Sequence, residues 1–218
     1  MIGCQLTTFM TISGMTSPAI IVDAQPRREQ ILDAALGLFA RYGLNNVTTR
    51  QIAAAVGISQ PSLYAHFPNR DAICATVCAR AMEGLYNSLI KAVAPSDPIR
   101  ARIIRLGNSY LQFGLANEAA YRVAFMGEMA TESFQPDADV MAAGLRAFGV
   151  LHALVDEIYP GDPVLAALKA QSTWASIHGL TSLLLGCRDF PWVDVDGFIA
   201  LHLEAIADHL TGDLTVQK

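Results

Sequence analysis

Thr48-Thr49-Arg50-Gln51-Ile52-Ala53-Ala54-Ala55-Val56-Gly57-Ile58-Ser59-Gln60-Pro61-Ser62-Leu63-Tyr64-Ala65-His66-Phe67 is the stretch whose reading decides the fold. Thr48 or Thr49 can cap a helix that runs to about Val56, because a hydroxyl at the cap accepts from an orphan amide of the first turn. Gly57 permits a sharp turn, and Ser59 can cap a second short helix. Ile52, Val56, Ile58 and Leu63 are the apolar residues that can hold two short helices at a fixed angle, while Ala53 allows close approach. The layout is a helix-turn-helix. Its second helix is presented outward, so that Gln60, Ser62 and Tyr64 can enter a major groove, and exposed amides at the helix starts suit phosphate.

Toward the N-terminus, Ile31, Ala34, Ala35, Leu38 and Phe39 mark one face of a helix from about Arg27 to Tyr42, with Gly43 as its left-handed stop. Three helices then make a compact unit. Residues 1–25 are expected to form a flexible arm, with Met10 and Met15 as alternative starts. Beyond Phe67 the helices lengthen. Apolar residues every four positions predict one from about Arg70 to Val93, ended by Pro95 and Pro98, and another runs from Pro98 to about Ala116. Further helices are expected near Glu118 to Ala130, Asp137 to Tyr159, Pro163 to Leu185 and Val195 to Thr211, separated by breaks at Pro136, Pro160-Gly161 and Pro191. No sustained period-2 pattern appears, so the fold class is all-α with about nine helices. The expected organisation is an arm at 1–25, a helix-turn-helix domain at 26–72 and a larger helical domain for ligand binding and dimerisation at 73–218.

Composition narrows the function. The chain of 218 residues is 52% hydrophobic but only 16% charged, which points to a buried cavity or a subunit contact in addition to a core. Its net charge of -5 excludes a generally basic nucleic-acid coat, yet the charge is unevenly spread. From Arg27 to Arg70, five arginines stand against Glu29 and Asp33, whereas from Ala101 onward seven basic residues face fourteen Asp and Glu. Only the N-terminal part suits a phosphate backbone. Cys4, Cys74, Cys78 and Cys187 show neither a disulfide framework nor zinc spacing. Cys74 and Cys78 read as small apolar fillers of a helix face, no metal or cofactor is expected, and a reducing compartment is the default. Neither a signal peptide nor an apolar run of membrane-spanning length is evident, so the expected location is cytoplasmic.

The segment from about Arg27 to Ile73 resembles the DNA-binding domain of the TetR family of bacterial regulators. Ile31-Leu32-Asp33-Ala34-Ala35 with Phe39 and Gly43, then Thr49-Arg50-Gln51-Ile52-Ala53, then Leu63-Tyr64 with His66-Phe67 and Arg70 stand at the family's spacing. The resemblance implies phosphate contacts from Thr49, Tyr64 and Arg70, the last standing where the family usually has lysine. Arg50 and Gln60 are candidates for base reading, because a guanidinium pairs bidentately with guanine and a carboxamide with adenine. Pro61 offers apolar contact to a thymine methyl, and Thr48, Ser59 and Ser62 complete the expected interface. His66 either touches phosphate or packs beside Phe67. Implied partners are double-stranded DNA with a palindromic operator, a second copy of the chain and a small apolar or amphipathic effector that releases the protein from DNA.

Trp174-Ala175-Ser176-Ile177-His178-Gly179-Leu180 is similar to the Trp-His-Gly pattern of one subgroup of the family's C-terminal domains. Trp174 and His178 share a helix face, where they either line a pocket or serve as core. Tyr110, Phe113, Phe125, Met126, Met129, Phe148 and His152 form a similar set, either cavity wall or ordinary packing. Leu180, Leu183, Leu184, Ile199, Leu203 and Ile206 are the residues expected in a four-helix dimer interface.

Two other classes compete. A helical-bundle enzyme with a carboxylate di-metal site would need Glu-x-x-His pairs, and none precedes His66, His152, His178, His202 or His209. No phosphate-cradling Gly-rich loop or nucleophile elbow is present either, so catalysis is not expected. An adaptor that has lost DNA affinity and binds protein through its acidic half is the remaining alternative.

Overall fold

The computed structural model describes residues 24–126 and 138–216, and these are helical almost throughout, with no strand among them. The chain order is α1 (Ala24–Tyr42), a 3-10 turn (Leu44–Asn46), α2 (Thr49–Val56), α3 (Gln60–Tyr64), α4 (Arg70–Ala92), α5 (Ile99–Ala116), α6 (Glu118–Tyr121), a π-helical turn (Arg122–Met126), α7 (Ala138–Asp156), α8 (Pro163–Gly186) and α9 (Val195–Val216). Nine α-helices among the described residues match the expected all-α class. The N-terminal arm through residue 23, the end of the helix expected at Glu118 to Ala130, and Met129 lie outside the described residues.

Local chemistry explains the boundaries. Thr48 and Gln51 form a reciprocal capping box at the start of α2, each satisfying an amide of the other. Gly57 then takes a left-handed conformation at φ 72° and ψ 32°, and its amide closes onto Ala53 and Ala54 carbonyls. Ser59 caps α3, with Pro61 in the first turn where its missing amide hydrogen is not needed. Asn69 caps α4 and Asp162 caps α8 in the same manner. Gly43 also has positive φ, at 83°, but its ψ of 154° makes it an extended entry to the 3-10 turn instead of the expected left-handed stop. The helix expected from Glu118 is broken into one α turn and the π turn, a register change that no apolar period announces.

Two main hydrophobic clusters result. The first gathers Ile31, Phe39, Val47, Ile52, Leu63 and Phe67 from α1 to α3 and their connections, together with Ile73, Cys74, Val77 and Cys78 of α4. Val123 and Val140 join it from the later chain, so the line drawn at 72/73 crosses a continuous packing layer. The second is built from Leu85, Leu106, Leu111, Tyr121, Leu154, Ile177 and Leu210 on α4 to α9. A bidentate pair from Arg102 on α5 to Glu157, just past α7, at 2.6 and 2.8 Å clamps this bundle at one end.

α7 corrects the expectation that no segment is long and apolar enough for a membrane. By length and composition it passes that test, with 33% of the window buried. It also packs broadly on α4 and α8 and carries Arg146, which pairs with Glu83 of α4. Its surplus of apolar side chains faces a cavity described below.

Helix crossings leave no room at Gly114 of α5, where an added Cβ would lie 2.5 Å from Thr181 Cγ2 and 3.1 Å from the Tyr121 ring. Both neighbours are wholly buried and have little room to yield. Gly114→Ala is expected to destabilise the chain by about 1–3 kcal/mol, read as a lower urea midpoint. An unchanged midpoint would mean that α5, α6 and α8 do not meet there as described.

Candidate nucleic-acid interface and ligand cavity

α3 is only five residues long, and its position is set by Leu63, which is wholly buried beneath it. Pro61, Ser62 and Tyr64 are left exposed on the opposite side. Gln60 donates to Thr49 Oγ1 at 3.0 Å and to the Tyr64 hydroxyl at 3.3 Å, while Thr49 and Tyr64 hydroxyls also stand 3.3 Å apart. These three residues therefore form one polar cluster across α2 and α3. The hydrogen bonds from Thr49, then Gln60, lower the pKa of the Tyr64 phenol from its ordinary value. Arg50 beside them is exposed and has no hydrogen bond or ion pair among the described residues.

The remaining interface candidates are more constrained. Thr48 is engaged in its capping box, and Ser59 and Ser62 hydroxyls lie 2.7 Å apart while Ser59 also caps α3. Arg70 donates to the Leu44 carbonyl at 2.8 Å and pairs with Asp71 at 3.1 Å, so part of its charge is already offset within the chain. His66 is half-buried at the end of α3, next to fully buried Phe67. Arg28 stacks on the Phe67 ring at 4.5 Å, which ties α1 to the helix-turn-helix. Sequence reasoning did not single out that contact, nor the capping role of Gln51.

The C-terminal bundle encloses a cavity of about 410 Å³. Tyr110, Phe125, Phe148 and Trp174 line it as one reading of the sequence had it, joined by Leu85 and Leu89 of α4, Met141 and Leu145 of α7, and Gln171 of α8. Four expected residues sit elsewhere. Phe113 packs against Gly84, Met126 is exposed near the 3-10 turn, and His152 pairs with Asp156 at 3.2 Å. His178 stands behind the wall. Its Nδ1 lies 2.6 Å from the Tyr121 hydroxyl, with the Tyr110 hydroxyl 3.3 Å from both Nδ1 and the Tyr121 oxygen, and its Nε2 lies 3.3 Å from Ser182 Oγ. Burial lowers the His178 pKa and raises those of Tyr110 and Tyr121, keeping all three neutral.

Burial also corrects the expected dimer residues. Leu180, Ile199, Leu203 and Ile206 are buried within one chain and belong to its core, and Leu184 packs against that core, while Leu183 is half exposed. The apolar face that α8 turns to solvent is instead Val164, Leu168, Ala175 and Leu183, with exposed Leu201 on α9.

Comparisons with known proteins agree with this arrangement. The profile described as "Bacterial regulatory proteins, tetR family" matches residues 31–77, and that of a "Tetracyclin repressor-like, C-terminal domain" matches residues 103–206. The chain belongs to the TetR family. Neither comparison distinguishes the Trp-His-Gly subgroup. The tetracycline repressor protein class D of Escherichia coli is 41% identical over 61 residues, 26% of this chain and 28% of that protein. The transcriptional repressor KstR2 of Rhodococcus jostii is 35% identical over 77 residues, 35% of this chain and 38% of that protein. The transcriptional activator FasR of Mycolicibacterium smegmatis is 27% identical over 106 residues, 49% of this chain and 48% of that protein. The chain thus matches less than half the length of each of these relatives. Among solved structures, a protein of unknown function from Rhodococcus sp. RHA1 superimposes with a TM-score of 0.71 at 23% identity, covering 84% of this chain and 95% of the other. The regulator PfmR of Thermus thermophilus does so with a TM-score of 0.63 at 20% identity, covering 83% and 95%. These likenesses show the fold.

The neutral state of His178 has a pH consequence. Its folded pKa lies below the unfolded 6.5, so between the two values the unfolded chain binds the extra proton and stability falls as pH drops. Stability is expected to be full above that range and to decline through it. His178→Gln should flatten this part of a urea-midpoint profile, whereas an unchanged slope would place the acid sensitivity on other groups.

Proposed function

We propose that this TetR-family chain is a homodimeric, DNA-binding transcriptional repressor released from a palindromic operator when a small apolar molecule fills the cavity. The observation that carries the reading is the exposed Arg50 beside the Thr49, Gln60 and Tyr64 cluster, on a helix-turn-helix whose geometry is fixed by a buried Leu63. Preorganised polar groups on a rigid short helix lose little freedom on docking. Arg50 supplies the charge and the bidentate donor for a base edge, and Tyr64 and Arg70 suit phosphates. Residues 26–72 form the DNA-gripping unit and residues 73–218 hold the ligand and the partner, with α4 shared between them.

The stripe Val164, Leu168, Ser172, Ala175, Gly179 and Leu183 recurs at spacings of four, four, three, four and four along α8. With Leu201 of α9 it supplies the face for a second copy, and its small middle residues let two helices approach closely. Twofold symmetry then sets the two α3 helices against adjacent turns of one duplex. A ligand entering between α4, α5, α7 and α8 pushes on α4, whose first turns carry the DNA-binding core, and so changes the separation of the recognition helices.

Two experiments test this. Binding to DNA upstream of the protein's own gene, measured by gel shift at two salt concentrations, is expected to weaken steeply with salt. Arg50→Ala should cost about 1–3 kcal/mol with relaxed preference at one base pair, and Arg70→Ala should weaken all sequences alike. Absence of DNA binding would support the adaptor reading instead. Leu168→Glu with Leu201→Glu changes only exposed positions, and sedimentation should then show a folded monomer. A dimer that survives both changes would move the interface elsewhere.

A further inference from the structure

The cavity's chemistry restricts what can occupy it. None of its lining side chains carries a charge, and only Tyr110, Gln171 and Trp174 among them contain nitrogen or oxygen, the rest being hydrocarbon, aromatic rings and two methionines. Nearby polar groups are engaged elsewhere, Arg146 with Glu83 and His152 with Asp156. A carboxylate or ammonium entering such a site would lose its hydration with nothing to replace it. Tyr110 is different. The Tyr121 hydroxyl lies only 2.6 Å from His178 Nδ1, while the Tyr110 hydroxyl stands 3.3 Å from each of them and also interacts with the Trp174 side chain, itself part of the cavity wall. Its hydroxyl is buried and neutral, its contacts to Tyr121 and His178 are long, and it can turn to a single hydrogen-bonding group on a ligand.

We propose that the cavity between α4, α5, α7 and α8 selects an uncharged, largely hydrocarbon molecule bearing one hydroxyl or carbonyl, which pairs with Tyr110. This rests on the effector reading above and gives the ligand its chemical class. Size follows from volume: about 410 Å³ corresponds to roughly fourteen non-hydrogen atoms, at the ~30 Å³ that one water occupies in the liquid. Entry is between α7 and α8, where Met141, Leu145, Gln171 and Trp174 are the exposed lining residues. Gly144 on α7 also lines the wall, and a Cβ there would meet only Met82 Sδ at 4.0 Å, so a larger side chain at this position projects into open cavity.

Calorimetric titration of the free full-length protein, with no DNA present, tests the proposal using 4-hexylphenol, which is close to that size. One molecule is expected to bind per chain, with 4-hexylbenzoate and 4-hexylbenzylammonium each about a hundredfold weaker. Tyr110→Phe should weaken 4-hexylphenol about tenfold and leave hexylbenzene unchanged, and Gly144→Leu should abolish binding of both. The comparison of charged and neutral probes uses the unsubstituted protein and does not depend on any variant folding. Equal or tighter binding of either charged probe, or undiminished binding in a folded Gly144→Leu protein, would overturn the proposal. Because operator binding is measured separately by gel shift, either result would stand whether or not the regulator reading does.

Discussion

α4 is a member of both hydrophobic cores, and the rest of the structure depends on that sharing. Its first two turns bury Ile73, Cys74, Val77 and Cys78 among the helix-turn-helix residues, and its later turns bury Leu85 and Leu89 in the bundle. Between them, Ala81 and Met82 form a small separate cluster with Ala124 of the π turn and Ala143 of α7. Close packing on both sides means that α4 cannot tilt at one end without the other end responding. The same helix lends Met82, Leu85 and Leu89 to the cavity wall. The cavity wall and the helix-turn-helix core thus share one continuous helix.

The π turn has a related consequence. It follows directly on Tyr121, and within it Val123 faces the first cluster while Phe125 faces the cavity. Residues two apart point to nearly opposite sides of a helix, so this short segment serves two environments at once. Cys78 Sγ lies 3.9 Å from the Val123 carbonyl, a contact within the same layer. The segment thus touches the helix-turn-helix core, the cavity and the Tyr121–His178 network at once.

Much of this was legible in the sequence because the decisive features are local. The caps at Thr48 and Ser59, the left-handed Gly57 and the apolar spacing of α1 to α5 each follow from a few neighbouring residues. The capping box was missed although Thr48-x-x-Gln51 is its short-range signature. The π turn had no such signature in the spacing of its apolar residues. Of the cavity residues, aromatic identity was enough to suggest Tyr110, Phe125, Phe148 and Trp174. Leu85, Leu89 and Leu106 were not distinguishable from core leucines, because the same side chain serves a filled interior and an empty one.

The dimer residues show where periodicity stops being informative. α8 is apolar on nearly every side, so no single direction stands out along its length. Ala166, Ala170, Ile177 and Leu180 point into the core, Gln171 and Trp174 border the cavity, and Val164, Leu168 and Leu183 face solvent. A helix hydrophobic all round is usually surrounded by protein, and within one chain this helix is covered on two of its three faces. The third is apolar and has small residues at its centre. The low charged fraction of the whole chain has the same origin, since the cavity and this outward face both require apolar side chains beyond those that fill the core.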